Sequence, residues 1–158
     1  MKQAADDYTT DELICTCIAC QIEDGEVVAQ GIATPLVAAG YILAKLTHAP
    51  NIVFASSIGN AVCRDWGPLS LSRIEETWLG QVLQLLSFAE ISAELLPTLQ
   101  PKEFFRPAQM DAYGNFNNVV IGHYHRPCLR LPGCGGIADV TNFSRRIYLH
   151  VPRQERRV

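Results

Sequence analysis

The stretch from residue 26 to residue 57 constrains this chain more than any other. After the turn Asp24-Gly25, Glu26-Val-Val-Ala-Gln30 has the apolar centre of a short strand. Gly31-Ile-Ala-Thr34-Pro35 is a tight turn with proline at the start of the next helix, which runs from Leu36 to His48 until Pro50 stops it. Asn51-Ile-Val-Phe-Ala-Ser-Ser57 is then a continuous apolar strand of the kind buried inside a parallel sheet. Strand, helix and strand in this order form a βαβ unit. The predicted class is therefore α/β, with an open, mainly parallel sheet and flanking helices.

The rest of the chain is consistent with one domain. Thr9-Thr-Asp-Glu12 has the form of a capping box, and the apolar spacing after it predicts a helix over residues 10–22. Residues 63–72 read as loop, and 74–96 as a long helix interrupted near Phe88. Pro97, Pro101 and Pro107 punctuate the next segment. Asp111 to Asn115 is a turn, 118–121 a strand, 131–136 a glycine-rich loop and 146–151 a further strand. At 158 residues the chain fits a single domain, 1–158, and 48% hydrophobic against 18% charged residues excludes a disordered or fibrous class. A net charge of −3 gives no reason to expect nucleic acid as a partner. No apolar run approaches the roughly 18 residues of a membrane span, and no signal peptide is evident, so a cytoplasmic protein without a membrane partner is expected. The six cysteines are then free thiols. Cys17 and Cys20 form a Cys-x-x-Cys pair, read as small buried residues of the first helix rather than as a metal or redox site.

Several places could carry chemistry. Gly31 and Thr34 lie in a turn at the carboxyl end of a strand, where ligands collect in open α/β sheets. A plain strand-to-helix turn would explain them equally. Ser56 and Ser57 end the next strand, as catalytic side chains or as strand-end caps. Gln109 and Asn115 flank turn formers and could orient a polar ligand, although a hairpin turn accounts for them fully. The sharpest local signal is Pro132-Gly133-Cys134-Gly135-Gly136, whose three glycines let backbone N–H groups face an anion or oxyanion. Cys134 is a potential thiol there, and a small filler is the preferred reading. His123 and His125, two apart on a predicted strand, lack a third ligand for a metal, and no metal is expected. Glu75-Glu76 suit a helix start. Five of the thirteen basic residues, Arg145, Arg146, Arg153, Arg156 and Arg157, crowd the last 14 positions; a solvated tail or a subunit seam is the preferred reading, and a phosphate group is the alternative.

Taken in order, Tyr8-Thr-Thr-Asp-Glu-Leu13, Asp24-Gly-Glu-Val-Val28, His48-Ala-Pro-Asn51 and Ala108-Gln-Met-Asp-Ala-Tyr-Gly-Asn-Phe-Asn117 resemble B subunits of family I CoA-transferases, of the glutaconate type. So do Ile121-Gly-His-Tyr-His-Arg-Pro127, Leu131-Pro-Gly-Cys-Gly-Gly136 and Arg153-Gln-Glu-Arg-Arg157. Thr47-His-Ala-Pro50 and Val151-Pro-Arg-Gln154 are most similar to the 3-methylglutaconyl-CoA decarboxylase branch, of alternative isovaleryl-CoA biosynthesis. The likeness spans nearly the whole chain except about residues 63–103. It implies the NagB/RpiA-like CoA-transferase fold, an A-type partner subunit in a hetero-oligomer, and an active site at the junction of the two. It also implies an acyl-CoA substrate, with coenzyme A entering as part of that substrate and no other cofactor.

In the transferases, a B-subunit glutamate at the end of the second strand attacks the thioester and carries CoA. Aligned without gaps, that position here is Ser57, and no glutamate lies between Glu26 and Glu75. The resemblance places Gly133 to Gly136 near the thioester, where Gly135 and Gly136 would polarise the carbonyl. Arg106-Pro107 replaces a small pair of the family, and relatives continue for about another third of their length. Losing the nucleophile removes ping-pong transfer. The expected activity is therefore a cofactor-free decarboxylation of a glutaconyl-type thioester. CoA transfer, acyl-CoA hydrolysis and a non-catalytic structural subunit are the alternatives.

Overall fold

The computed structural model describes residues 7–31, 34–67, 82–133 and 135–151. Helix α1 (Thr10–Cys20) begins at the capping box: Thr9 Oγ accepts from the Glu12 amide at 3.2 Å, and the Glu12 carboxylate accepts from the Thr9 amide at 2.7 Å. Strand β1 (Val27–Ala29), helix α2 (Pro35–Thr47) and strand β2 (Val53–Ser56) form the βαβ unit, with β1 and β2 parallel and Val28 opposite Phe54. A turn through Ser57–Asn60, with Asn60 at φ 51°, reverses the chain into β3 (Ala61–Cys63), antiparallel to β2. Strand β4 (Val82–Leu85) closes that edge.

A helical stretch comes next in three pieces: α3 (Phe88–Glu90), a π-helical turn (Ile91–Leu95) and α4 (Leu96–Leu99). Pro97 has no N–H to donate backwards, and the backbone widens in the turn before it. Strand β5 (Lys102–Phe105) then pairs with the other side of β1, parallel, setting Ala29 opposite Glu103. Two hairpins leave the body of the fold, β6 (Gln109–Met110) with β7 (Phe116–Asn117) and β8 (Val120–His123) with β9 (Arg126–Arg130). After α5 (Ile137–Phe143), strand β10 (Tyr148–Leu149) joins β5 in parallel. The sheet order is β10-β5-β1-β2-β3-β4: mainly parallel, with an antiparallel edge.

Its two faces bury different things. Ile18, Ile22, Val28, Val37, Tyr41, Ile52, Phe54 and Phe104 pack α1 and α2 against one face. Each fully buried large apolar side chain there contributes about 1.5–3 kcal/mol. The helices approach closely because Gly40 has no side chain; a Cβ there would lie 2.6 Å from Ile18 Cγ2. The Tyr41 hydroxyl, buried in this cluster, donates to Ala29 O at 2.7 Å. On the other face Ala29, Ala55, Ile91, Leu96 and the half-buried Phe143 form a smaller cluster under α4 and α5. Lys102, nearly buried, sits 2.6 Å from the Glu26 carboxylate, donates to Gln21 O, and ties β5 to the entry of β1.

The structure corrects several sequence-based expectations. Part of the expected loop 63–72 is the end of β3. Residues 82–85 of the expected long helix are an edge strand that leaves Leu83 and Leu85 exposed, while 74–81, with Glu75-Glu76, lie outside the described residues. Neither β5 nor α5 was anticipated. Cys17 and Cys20 are exposed rather than buried, because the core-facing stripe of α1 runs through Ile14, Ile18 and Ala19. His125 lies in the β8–β9 turn, not on the strand with His123, and both are exposed. Among the described residues no helix is long and apolar enough to cross a membrane, and no group of three or more His, Cys, Asp or Glu is arranged to hold a metal.

Candidate functional site

Strand β1 pairs with β2 on one side and with β5 on the other, and the two connections cross opposite faces of the sheet. The crevice between β1 and β5 is thus a topological switch point, the place where open α/β sheets bind ligands outside the carboxyl ends of their strands. Here it opens into a cleft of about 1050 Å³. Residues just past the end of each parallel strand line it: Gln30 and Gly31 after β1, Ser57 and Ile58 after β2, Arg106 and Pro107 after β5, His150 after β10. The α4 residues Leu96 and Pro97 and the α5 residues Val140 and Phe143 make an apolar wall.

Of the sequence-predicted residues, Gly31, Thr34, Ser57, Gly133, Gly135 and Gly136 all line this cleft. Thr34 Oγ1 donates to Gly31 O at 3.3 Å and steadies the turn. Ser57 is half-buried at the mouth of the β2–β3 turn. Gly133 donates its amide to Asn118 O at 2.9 Å, and a Cβ on it would overlap Asn118 at 2.2 Å, so the loop can come this close only as glycine. Gly136 holds φ +103°, and a Cβ on Gly135 would meet nothing within 4 Å. Cys134 lies outside the described residues.

The other candidates sit elsewhere. Ser56 is buried and its hydroxyl accepts from the Gly59 amide at 3.0 Å, capping the strand end; it is not among the cleft residues. Gln109 accepts from Asn117 Nδ2 at 2.7 Å, and Asn115 donates to Asp111 at 2.8 Å, so both stabilise the β6–β7 hairpin beside a shallower depression of about 310 Å³. Arg145 and Arg146 are exposed, and Arg153, Arg156 and Arg157 lie outside the described residues. Among the thiols, burial pushes Cys63 up to about 12, which leaves it inert.

Two cleft residues escaped the sequence reading. Glu103, on β5, is only 8% exposed, and burial pushes its carboxyl up to about 7. His150 has both ring nitrogens buried with no hydrogen-bond partner among the described residues; burial first, and then the Arg106 charge, hold its ring below the usual imidazole value. The available signal for Glu103 was a lone carboxylate inside the apolar run Lys102-Glu-Phe-Phe105, between Pro101 and Pro107. A cleft of this kind combines glycine amides, an apolar wall and a buried acid. It can hold a flat acyl group, accept charge on a carbonyl oxygen and move a proton.

The family described as Coenzyme A transferase matches residues 12–154. The B subunit of 3-oxoadipate CoA-transferase from Pseudomonas knackmussii is 29% identical over 161 residues, covering 94% of this chain and 56% of that one. The B subunit of glutaconate CoA-transferase from Acidaminococcus fermentans is 32% identical over 149 residues, covering 90% and 54%. The crystal structure of the decarboxylase AibA/AibB superposes with a TM-score of 0.79 at 29% identity, covering 94% of this chain and 61% of that one. The chain thus spans a little over half the length of the relatives it matches.

Proposed function

The chain belongs to the coenzyme A transferase family, and from that premise we propose that it is the B-type subunit of a heteromeric enzyme that decarboxylates a glutaconyl-type acyl-CoA without a bound cofactor. The observation that carries this reading is Ser57. It lines the cleft just after β2, at the position where the resemblance to the transferases expects the glutamate that carries CoA. A serine has no carboxyl group on which CoA could be carried as a thioester, so that intermediate does not form at this position. The similarity to a decarboxylase, AibA/AibB, supports the same direction.

In this reading the acyl-CoA lies across the switch point with its thioester against Gly135 and Gly136, while Gly133, its amide held by Asn118 O, fixes the loop. The bond to the terminal carboxylate breaks, CO₂ leaves, and the electron pair is delocalised through the conjugated chain into the thioester carbonyl. Backbone amides aimed at the carbonyl oxygen stabilise the developing charge more than the ground state, which is what accelerates the step. The apolar wall favours CO₂ release, since a carboxylate loses hydration there and a neutral molecule does not. The partner is an A-type subunit, and the substrate brings the coenzyme A.

CoA transfer is the second reading, favoured by the names of the two B-subunit relatives. Intact-mass measurement of this chain, in complex with its A-type partner and quenched during turnover of glutaconyl-CoA, separates the two. Decarboxylation leaves the mass of the chain unchanged while CO₂ accumulates. A CoA thioester adduct on this chain would establish transfer instead.

A further inference from the structure

Glu103 occupies a place that folding alone does not explain. Its partner across the ladder is Ala29, and on that face of the sheet lie Ala55, Ile91 and Leu96, all buried. A carboxylate 8% exposed there costs stability unless it is paired. Among the described residues no hydrogen bond or salt bridge reaches it. The nearest cation along the strand, Lys102, points to the opposite face, toward Glu26. The carboxyl instead abuts the switch point: Glu103 Oε1 lies 3.5 Å from where a side chain on Gly31 would begin, and both residues line the cleft. His150, its ring nitrogens buried and unpartnered among the described residues, lines the cleft from the end of β10.

We propose that Glu103 is a catalytic residue, the acid that delivers a proton to the acyl carbon of the CoA thioester held in this cleft. The proposal rests on the decarboxylase reading for its reaction, while the group itself is identified from geometry. Once CO₂ has left, the electron pair held in the thioester dienolate returns to the acyl chain. The O–H bond of Glu103 breaks, a C–H bond forms at the carbon that lost CO₂, and the carboxylate left behind regains a proton from water. The surroundings keep the acid form available. Tyr41 from α2 is fully buried and stays neutral, and His150 from β10 is held toward its neutral form. Arg106, exposed just beyond the end of β5, lines the cleft on the His150 side, and Asp139 of α5 lines it as well. Burial governs Glu103 and leaves it close to evenly divided near neutral pH.

The reverse of this step gives the test. The complex of this chain with its A-type partner is incubated with crotonyl-CoA in D₂O, and deuterium entering the methyl group is followed by NMR. The wild-type complex is expected to catalyse the exchange. Glu103→Gln is expected to slow it by on the order of 10²–10⁴-fold, and Glu103→Asp to restore part of the rate. Crotonyl-CoA binding, measured in parallel, controls for folding. Undiminished exchange in Glu103→Gln, or a wild-type complex that leaves the methyl group protonated, overturns the proposal. CO₂ release from glutaconyl-CoA is scored separately. Glu103-dependent exchange without CO₂ release would keep the proton-transfer role and reject the decarboxylase reading.

Discussion

Replacing Glu103 with glutamine is expected to make the protein more stable at alkaline pH and to leave it nearly unchanged at acidic pH. The Glu103 carboxyl ionises near 7 rather than at the ordinary 4.5, and burial is the cause. Because the folded state holds this proton more tightly than the unfolded state, the carboxyl's contribution is fully present below about pH 4.5. It is lost as the pH rises toward 7 and is gone above that. At about 1.4 kcal/mol per pH unit, the loss amounts to about 3 kcal/mol. Glutamine keeps the shape and has no proton to lose. For a chain of this length, that energy corresponds to a Tm difference of roughly 6–12 °C. Thermal unfolding of both proteins, at one concentration and over a pH series from acid to mildly alkaline, reads it directly. The Tm of Glu103→Gln minus that of the wild type should grow from pH 5 to pH 8 and then level off. Two parallel curves would mean that the carboxyl is solvated or paired, and the argument for an uncompensated buried acid would fail.

Other contacts give further expected outcomes. Gly40→Ala drives a methyl group into Ile18, 2.6 Å away, and should cost about 1–3 kcal/mol in a denaturant melt. Lys102→Met removes the partner of Glu26 and the donor to Gln21 O, and should destabilise by about 1–3 kcal/mol in the same melt. A Cβ on Gly135 meets no atom within 4 Å, so Gly135→Val should hold Tm while its side chain obstructs the cleft and turnover falls at least tenfold.

The βαβ core was readable because strong local signals bound each element. Pro35 opens α2, Pro50 prevents the helix from continuing, and the apolar run ending in Ser56, short and bounded by Pro50 and Gly59, reads as a buried strand. The position of Ser57 in the cleft follows from that reading. Strand β4 was not readable. Val82-Leu-Gln-Leu85 satisfies helical and strand periodicities alike, and only its pairing with β3 decides between them. The phase of α1 misled in a similar way, since Cys17 and Cys20 fit an apolar stripe until α2 settles which side is covered. Helix α5 was hidden by the glycine-rich loop before it and by Thr141 and Asn142, poor helix formers near its end. Glu103 and His150 join Gly31 in one cleft only through two parallel pairings, β5 with β1 and β10 with β5. These join segments some 75 and 45 residues apart, and no local pattern encodes them.

The proposed function has one central requirement: the cleft releases CO₂ from an acyl-CoA without passing CoA to another acid. The most direct measurement incubates the complex of this chain and the A-type partner proposed for it with glutaconyl-CoA, with and without excess acetate, and identifies the thioesters by mass spectrometry. Crotonyl-CoA and CO₂ are expected at the same rate in both cases. Acetyl-CoA that forms only when acetate is present, with no crotonyl-CoA in its absence, would contradict the mechanism and make the protein a transferase.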